Sequence, residues 1–442
     1  VGVLGAGLSG LSAAYSLQGA PGIERIDLLE KEAVPGGLCR SFPFGNAHYD
    51  VGPHIIFSKD AGILSLMLDL LGGNVQRLRR SNRILHDGRF VKYPFENELS
   101  ALSQQDREYC LNAFLANPYA GYAPQNMLQF FLATFGEGIT NLYLRPYNEK
   151  IWKFDPSLMD LQIVERIPKP PAQDIINSAR GIVTEGYVHQ LWFHYPRTGG
   201  IASLIRALIG RLGAKVEIRT RAEVARIERS SRAWRIATTD GQFRQYEQVV
   251  STIPVPLLVR GLGSEVPGEV SRAARALRHN SILLCVLRVR RDQLGDNFAV
   301  MVADKGVLFH RLSKLDFLSP PGATEDAATL MAEVTYRPGD LVDLTPDRQV
   351  LDRVIGDLCR LGFISSPAQV EASQLRRFPH AYVIYDLDHR RNMSRVRSYC
   401  EEQLGLWLLG RFGEFEYWNM DQVIRRASDR CREILQSWET ER

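Results

Sequence analysis

The chain has 442 residues, 45% of them hydrophobic, enough to bury one large core or two to three coupled subdomains. A formal net charge of +4 is small for that length, so composition demands neither nucleic acid nor an acidic membrane surface as partner. The cysteines, Cys39, Cys110, Cys285, Cys359, Cys400 and Cys431, form no CxxC pair and follow no zinc or disulfide spacing, so no metal is expected and a reducing compartment is.

Residues 1–60 read as strand, Gly-rich turn, helix, strand and a second Gly-containing loop, a βαβ opening. A helix is expected around 60–73 and a strand pair near 83–93 about the turn His86-Asp87-Gly88. From about 98 to 143 the pattern is mostly helical; Pro168, Pro170 and Pro171 then interrupt the chain, and helix resumes over 172–190. A helix at 201–213 leads into short alternating strands and turns over 214–254. Strands are expected at 281–291, 298–310 and 328–336, and helices at 348–361, 390–404 and 420–437. The longest apolar runs, such as SILLCVL at 281–287, have core-strand length and fall well short of the roughly 20 residues of a membrane-spanning helix. With no signal-peptide pattern before the first strand, a cytoplasmic protein is the expectation.

The opening VGVLGAGLSGLSAAYSL sets Gly5, Gly7 and Gly10 as GxGxxG between a strand and a helix. The first glycine permits the tight turn, the second lets backbone approach a pyrophosphate, and the third lets the helix pack close to the sheet. Leu8 and Ser9 begin that helix, whose unpaired N–H groups attract phosphate. Glu30 ends the next strand, where an acidic side chain accepts ribose hydroxyls, and Lys31 follows it. The fold class is therefore α/β: a Rossmann-type dinucleotide-binding domain with inserted helical and mixed-sheet substrate domains. Its expected parts are 1–97, 191–276 and 391–442, with a mostly helical substrate domain at 98–190 and a mixed-sheet one at 277–390.

EKEAVPGGLCRSF (30–42), with Gly36, Gly37 and Leu38, followed by YDVGPHIIFS (49–58), resembles the amine-oxidase and UDP-galactopyranose-mutase superfamily of FAD proteins. The resemblance implies that FAD is the dinucleotide, with Pro53, His54 and Ile55 beside the isoalloxazine and Val224 near the adenine. Four further segments are similar to the mutases: KYPFENEL (92–99), NLYLRPYNEKIW (141–152), HAYVIYDLDHRRNM (380–393) and GRFGEFEYWNMDQ (410–422). By that match Arg145 holds a substrate pyrophosphate, as forked guanidinium donors do well. Arg288 is the choice for a second arginine, with Arg290 and Arg291 as rivals. Tyr382 and Tyr417 donate to the phosphates; Tyr93, Tyr147, Asn148 and Trp152 complete the substrate wall, although Trp152 and Trp418 equally serve as core aromatics. Arg411, Asn419, Met420 and Asp421 approach the flavin. Cys39 lies near the pyrophosphate loop, with no reactivity assigned to it.

The activity implied is that of a mutase on reduced FAD, in which the flavin is the nucleophile at the anomeric carbon and pyranose and furanose interconvert without net redox. His54, Arg145 and Arg288 are its candidate catalytic residues, the partners a nucleotide sugar and an external reductant such as NAD(P)H. In one respect the chain departs from the mutases. They carry Gly-Gly-His in the flavin loop, where the middle glycine's carbonyl follows the redox state; here the residues are Gly52-Pro53-His54, and proline stiffens the loop. The alternative reading is an FAD-dependent oxidoreductase of amine-oxidase or desaturase type, or other flavin chemistry on a nucleotide sugar.

Overall fold

The strand Gly2–Leu4 is fully buried at the centre of a five-stranded parallel sheet. Ile26–Leu29 and Val249–Ser251 flank it, with Val216–Arg219 and Leu406–Leu408 outside them. Parallel strands buried on both faces read as continuous apolar runs, and successive residues here go to opposite cores. Val3, Leu28 and Val250 point toward the helices Leu8–Leu17, Ala61–Leu71, Ala202–Ile209 and Met420–Thr440. Leu4, Leu29 and Val249 point toward a core shared with Trp234 and Ile236 of the antiparallel sheet Val224–Arg229, Trp234–Thr238, Phe243–Tyr246. The structure is a computed structural model and describes residues 1–167, 169–185, 191–230, 233–318 and 326–440.

A second, seven-stranded sheet supplies the other half of the molecule. Its order is Val370–Ile384, Arg278–Arg290, Ala327–Tyr336, Arg311–Lys314, Ala299–Val302, Asn82–His86, Arg89–Lys92. One face is covered by the helix Asp347–Arg360 through Val350, Val354 and Leu358. The register fixes what the opposite face displays: Arg376, Leu284, Glu333, Arg311, Met301, Ile84 and Val91 form one cross-strand row. Directly opposed residues share a face, so this row carries its two arginines and one glutamate to the same side. The strands Asn82–His86 and Arg89–Lys92, assigned above to the dinucleotide domain, pair within this second sheet.

Most elements fall where the periodicity puts them, including the hairpin at Asp87 (φ 47) and Gly88 (φ 72), whose left-handed pair suits a tight hairpin turn. Three expectations are corrected. The strand expected over 298–310 stops at Val302, because Asp304 accepts the Gly306 N–H in a turn that folds the chain back, with Val302 N–H donating to the His310 carbonyl. The helix over 172–190 is confined to Ala172–Ala179; Pro168 and 186–190 lie outside the described residues. The helix over 390–404 is α-helical at His389–Arg397 and widens to a π-helix at Ser398–Gln403. A strand not anticipated, Val370–Ile384, runs through Pro379. There Pro379, His380 and Ala381 oppose Ser281 alone, a bulge that accommodates the missing proline N–H.

Candidate active site

A cleft of about 950 Å³ runs between the two large sheets. Its inner half is built by the first loop. A Cβ at Gly10 would sit 2.0 Å from the Gly5 carbonyl oxygen, so glycine alone allows the helix to start this close to the sheet. Gly7 backs onto the second Gly-rich loop: Gly36 N–H donates to the Ala6 carbonyl at 2.8 Å, and a Cβ on Gly7 would lie 3.6 Å from Gly37 Cα. No side chain caps the helix at Gly7, and Leu8 and Ser9 line the cleft, so its first N–H groups are available to an anion. The Glu30 carboxylate is held by the Ala6 N–H at 2.9 Å and the Glu32 N–H at 3.0 Å, one on each oxygen. Each oxygen keeps a lone pair for a hydroxyl. Lys31, Gly37, Leu38 and Val224 line the same half. A positive helix terminus beside a fixed carboxylate fits a dinucleotide.

The outer half centres on the turn 50–54. The buried Asp50 carboxylate accepts from Ser41 Oγ at 2.6 Å, Tyr195 OH at 2.8 Å and Ile201 N–H at 3.1 Å, while burial pushes its pKa up to about 6. His54 Nδ1 lies 2.9 Å from the Gly52 carbonyl oxygen. A carbonyl can only accept, so the proton sits on Nδ1 and Nε2 carries the lone pair. Burial lowers the ring to about 4, keeping it neutral. Pro53, His54 and Ile55 all line the cleft.

Beneath this turn Arg311 meets Glu333, the arginine lining the cleft and the glutamate fully buried. Burial opposes the guanidinium's charge, but Glu333 outweighs it and holds the arginine above its ordinary range. Gly52 has φ +75, and a Cβ there would stand 3.1 Å from Glu333 Oε2. The turn therefore rests directly on the ion pair.

Two phenols close the cleft: Tyr382 and Tyr417, ring centroids 5.6 Å apart, line it with Trp152 behind them at 5.9 and 5.6 Å. Burial raises the Tyr382 phenol, leaving it a neutral hydrogen-bond donor. Arg411 lies over the Tyr417 ring at 4.4 Å and donates to the Ala381 carbonyl at 3.4 Å; its Nε is buried with no partner among the described residues. That orphaned donor fits an acceptor on a bound group. Asn419 and Met420 also line the cleft, whereas Asp421 is outside its lining and accepts from Ser58 Oγ at 2.7 Å.

Several expected residues stand elsewhere. Arg145 is 45% exposed and paired with Glu149 at 2.8 Å. Arg288 reaches Thr329 Oγ1 at 3.4 Å and Asp316 at 3.8 Å, and Arg290 pairs with Glu371. Neither these three nor Arg291 lines the cleft. Tyr93, Tyr147, Asn148 and Trp152 also lie outside its lining. Tyr147 stacks on Tyr143 at 5.2 Å, and Asn148 accepts from Trp152 Nε1 at 2.9 Å. In the same helix Lys150, lowered to about 7 by burial, donates to the Val302 and Asp304 carbonyls and fastens the helical segment to the second sheet. Cys39 is buried and its thiol pushed up to about 12.

Residues absent from the sequence reading enter instead: Arg311, Glu333, Arg376, Asn82 and His380. The available signal was a charged residue inside an apolar strand, as in LFHRLSKL and LMAEVTY, since a buried charge demands a partner or a ligand.

A family described as flavin containing amine oxidoreductase matches residues 8–398. Among solved structures, reduced UDP-galactopyranose mutase is similar at 22% identity, with a TM-score of 0.87 over 99% of this chain and 93% of that one. A protein from Exiguobacterium sp. 255-15, provisionally assigned as a protoporphyrinogen oxidase, is similar at 19% identity, with a TM-score of 0.77 over 99% and 98%. A fatty acid isomerase of P. acnes that produces CLA follows at 16% identity, with a TM-score of 0.66 over 97% and 96%.

Proposed function

The chain belongs to the flavin containing amine oxidoreductase family, and from that premise we propose that it is an FAD-dependent nucleotide-sugar mutase of the UDP-galactopyranose mutase type, active on the reduced flavin without net redox. The observation that carries the reading is the half-buried Arg311, held by the fully buried Glu333, set with Tyr382, Tyr417 and Arg411 in one cleft. A diphosphate needs forked cationic donors and neutral hydroxyl donors at fixed positions, and this cradle supplies both. The similarity to reduced UDP-galactopyranose mutase along nearly the whole chain supports it further.

The inner half would hold the dinucleotide, with Gly7, Gly37 and the first turn of the helix Leu8–Leu17 at the pyrophosphate and Glu30 at the ribose. When bound, the flavin supplies a ring nitrogen that is nucleophilic in its reduced state. The chain's own residues do the positioning. Glu333 fixes the Arg311 fork, Trp152 backs both phenols, and the Tyr385 hydroxyl holds the Tyr417 backbone N–H at 2.6 Å. Arg311, Tyr382 and Tyr417 grip the diphosphate while it is a leaving group and keep it for return, so its charge is stabilised where it develops. His54, neutral and bearing its lone pair on Nε2, accepts a hydrogen bond and does not act as an acid.

A second reading, oxidation of an amine or other hydride donor, is favoured by one observation: neither Arg145 nor Arg288 lines the cleft. The two separate by titrating UDP and UDP-galactose into the reduced holoprotein and following the flavin absorbance. Saturable perturbation by both supports the mutase; none, with turnover of an amine, supports the oxidase.

A further inference from the structure

One cationic group on the cleft wall has no role in that account. Arg376 shares the sheet row of Arg311, three strands away, about 14 Å at the spacing of neighbouring strands. The two guanidinium groups are treated oppositely. Arg311 is matched by Glu333; no carboxylate pairs with Arg376 among the described residues. Arg376 is nevertheless not loose. Its guanidinium lies 4.0 Å from the centroid of Phe42, and its Nε donates to Tyr49 OH at 3.3 Å. Tyr49 is 1% exposed and Phe42 packs against it at 5.6 Å, so the platform is rigid. The four remaining N–H donors belong to a side chain lining the cleft.

Its surroundings point to the ligand. Phe42 lies in the hairpin directly after the second Gly-rich loop, and Arg40, which donates to the Gly37 carbonyl at 2.9 Å, has its guanidinium 5.5 Å from the same ring. Of the nearby acids, Glu32 is taken by Arg40 at 3.1 Å, Asp50 by Ser41 and Tyr195, and Glu333 by Arg311. A pre-stacked guanidinium with its fork free and no neutralising acid suits a planar or tetrahedral oxyanion.

We propose that Arg376, stacked on Phe42 and held by Tyr49, is a phosphate-binding residue of the cleft. The phosphate comes either from the cofactor's pyrophosphate or from the substrate's diphosphate. The first source rests on flavin binding alone; the second rests on the mutase reading as well.

The test compares Arg376→Met, which keeps the apolar stack but removes the fork, with Arg376→Lys and the parent protein. One arm measures FAD release on dilution of the holoprotein by flavin fluorescence. The other measures UDP affinity of the holoprotein through its flavin absorbance. A tenfold or greater loss in the FAD arm, less in the lysine variant, assigns the site to the cofactor; the same loss in the UDP arm assigns it to the substrate. Unchanged affinity in both arms, for variants with parental circular dichroism, overturns the proposal. If the parent protein itself ignores UDP, the mutase reading fails while the FAD arm still decides Arg376.

Discussion

Arg311 and Glu333 face each other on adjacent antiparallel strands and close a two-pronged ion pair, Nε to Oε1 at 2.5 Å and Nη2 to Oε2 at 2.6 Å, directly beneath Gly52. The pair joins fold to site: the second sheet places it, and the turn bearing His54 sits on it.

Arg311→Met leaves the fully buried Glu333 carboxylate without its partner. Loss of one partner of a buried pair costs about 3–5 kcal/mol, so urea unfolding should show a drop of that size. Adding Glu333→Gln should recover most of the loss, because no charge is then left buried. A double variant no more stable than the single one contradicts the pairing.

The two loop glycines should fail differently. Gly10→Ala drives a methyl into the Gly5 carbonyl oxygen at 2.0 Å and should lower the melting temperature. Gly7→Ala meets Gly37 only at ordinary contact distance, so the protein should fold yet lose flavin, its methyl occupying pyrophosphate space. Melting curves and the flavin-to-protein absorbance ratio separate the two. Equal flavin content in both variants would be the contrary result.

What the sequence made legible was local. GxGxxG, Glu30 and DVGPH each act within a single loop and its flanking strand, so their spacing carries their chemistry. The arginine proposed to meet the diphosphate, Arg311, was not legible, because its position depends on register between strands far apart in sequence. Arg288 points to the same sheet face as Leu284, but it stands four residues along the strand, about 13 Å beyond the row that meets the cleft. Arg311 reaches that row only because its strand pairs with Ala327–Tyr336. Pro379 hid the strand Val370–Ile384, and Arg376 with it.

Glu96 offers a stability test with a definite sign. It is 6% exposed, and burial pushes its carboxyl from 4.5 up to about 7. The folded state therefore holds a proton that the unfolded chain releases between those values, and stability is lost as pH rises from 4.5 through 7. Glu96→Gln, which cannot ionise, should gain up to roughly 3 kcal/mol over the parent at pH 8 and nothing at pH 4. Unfolding at the two pH values checks this, and a pH-independent difference would refute it.

Arg145→Ala removes an exposed pair with Glu149, which Lys305 also neutralises at 2.5 Å. Stability should move by less than about 0.5 kcal/mol, and UDP affinity by less than about twofold. A tenfold loss of UDP affinity would place Arg145 on the substrate after all.

The central claim, isomerisation of a nucleotide sugar on reduced flavin, is met most directly by incubating the dithionite-reduced protein anaerobically with UDP-galactose and separating the products by HPLC. The expected result is a new isomeric peak of the same mass, formed only with reduced flavin and without net oxidation. No isomer from a panel of UDP- and TDP-sugars, together with steady oxygen consumption on an amine, would contradict it.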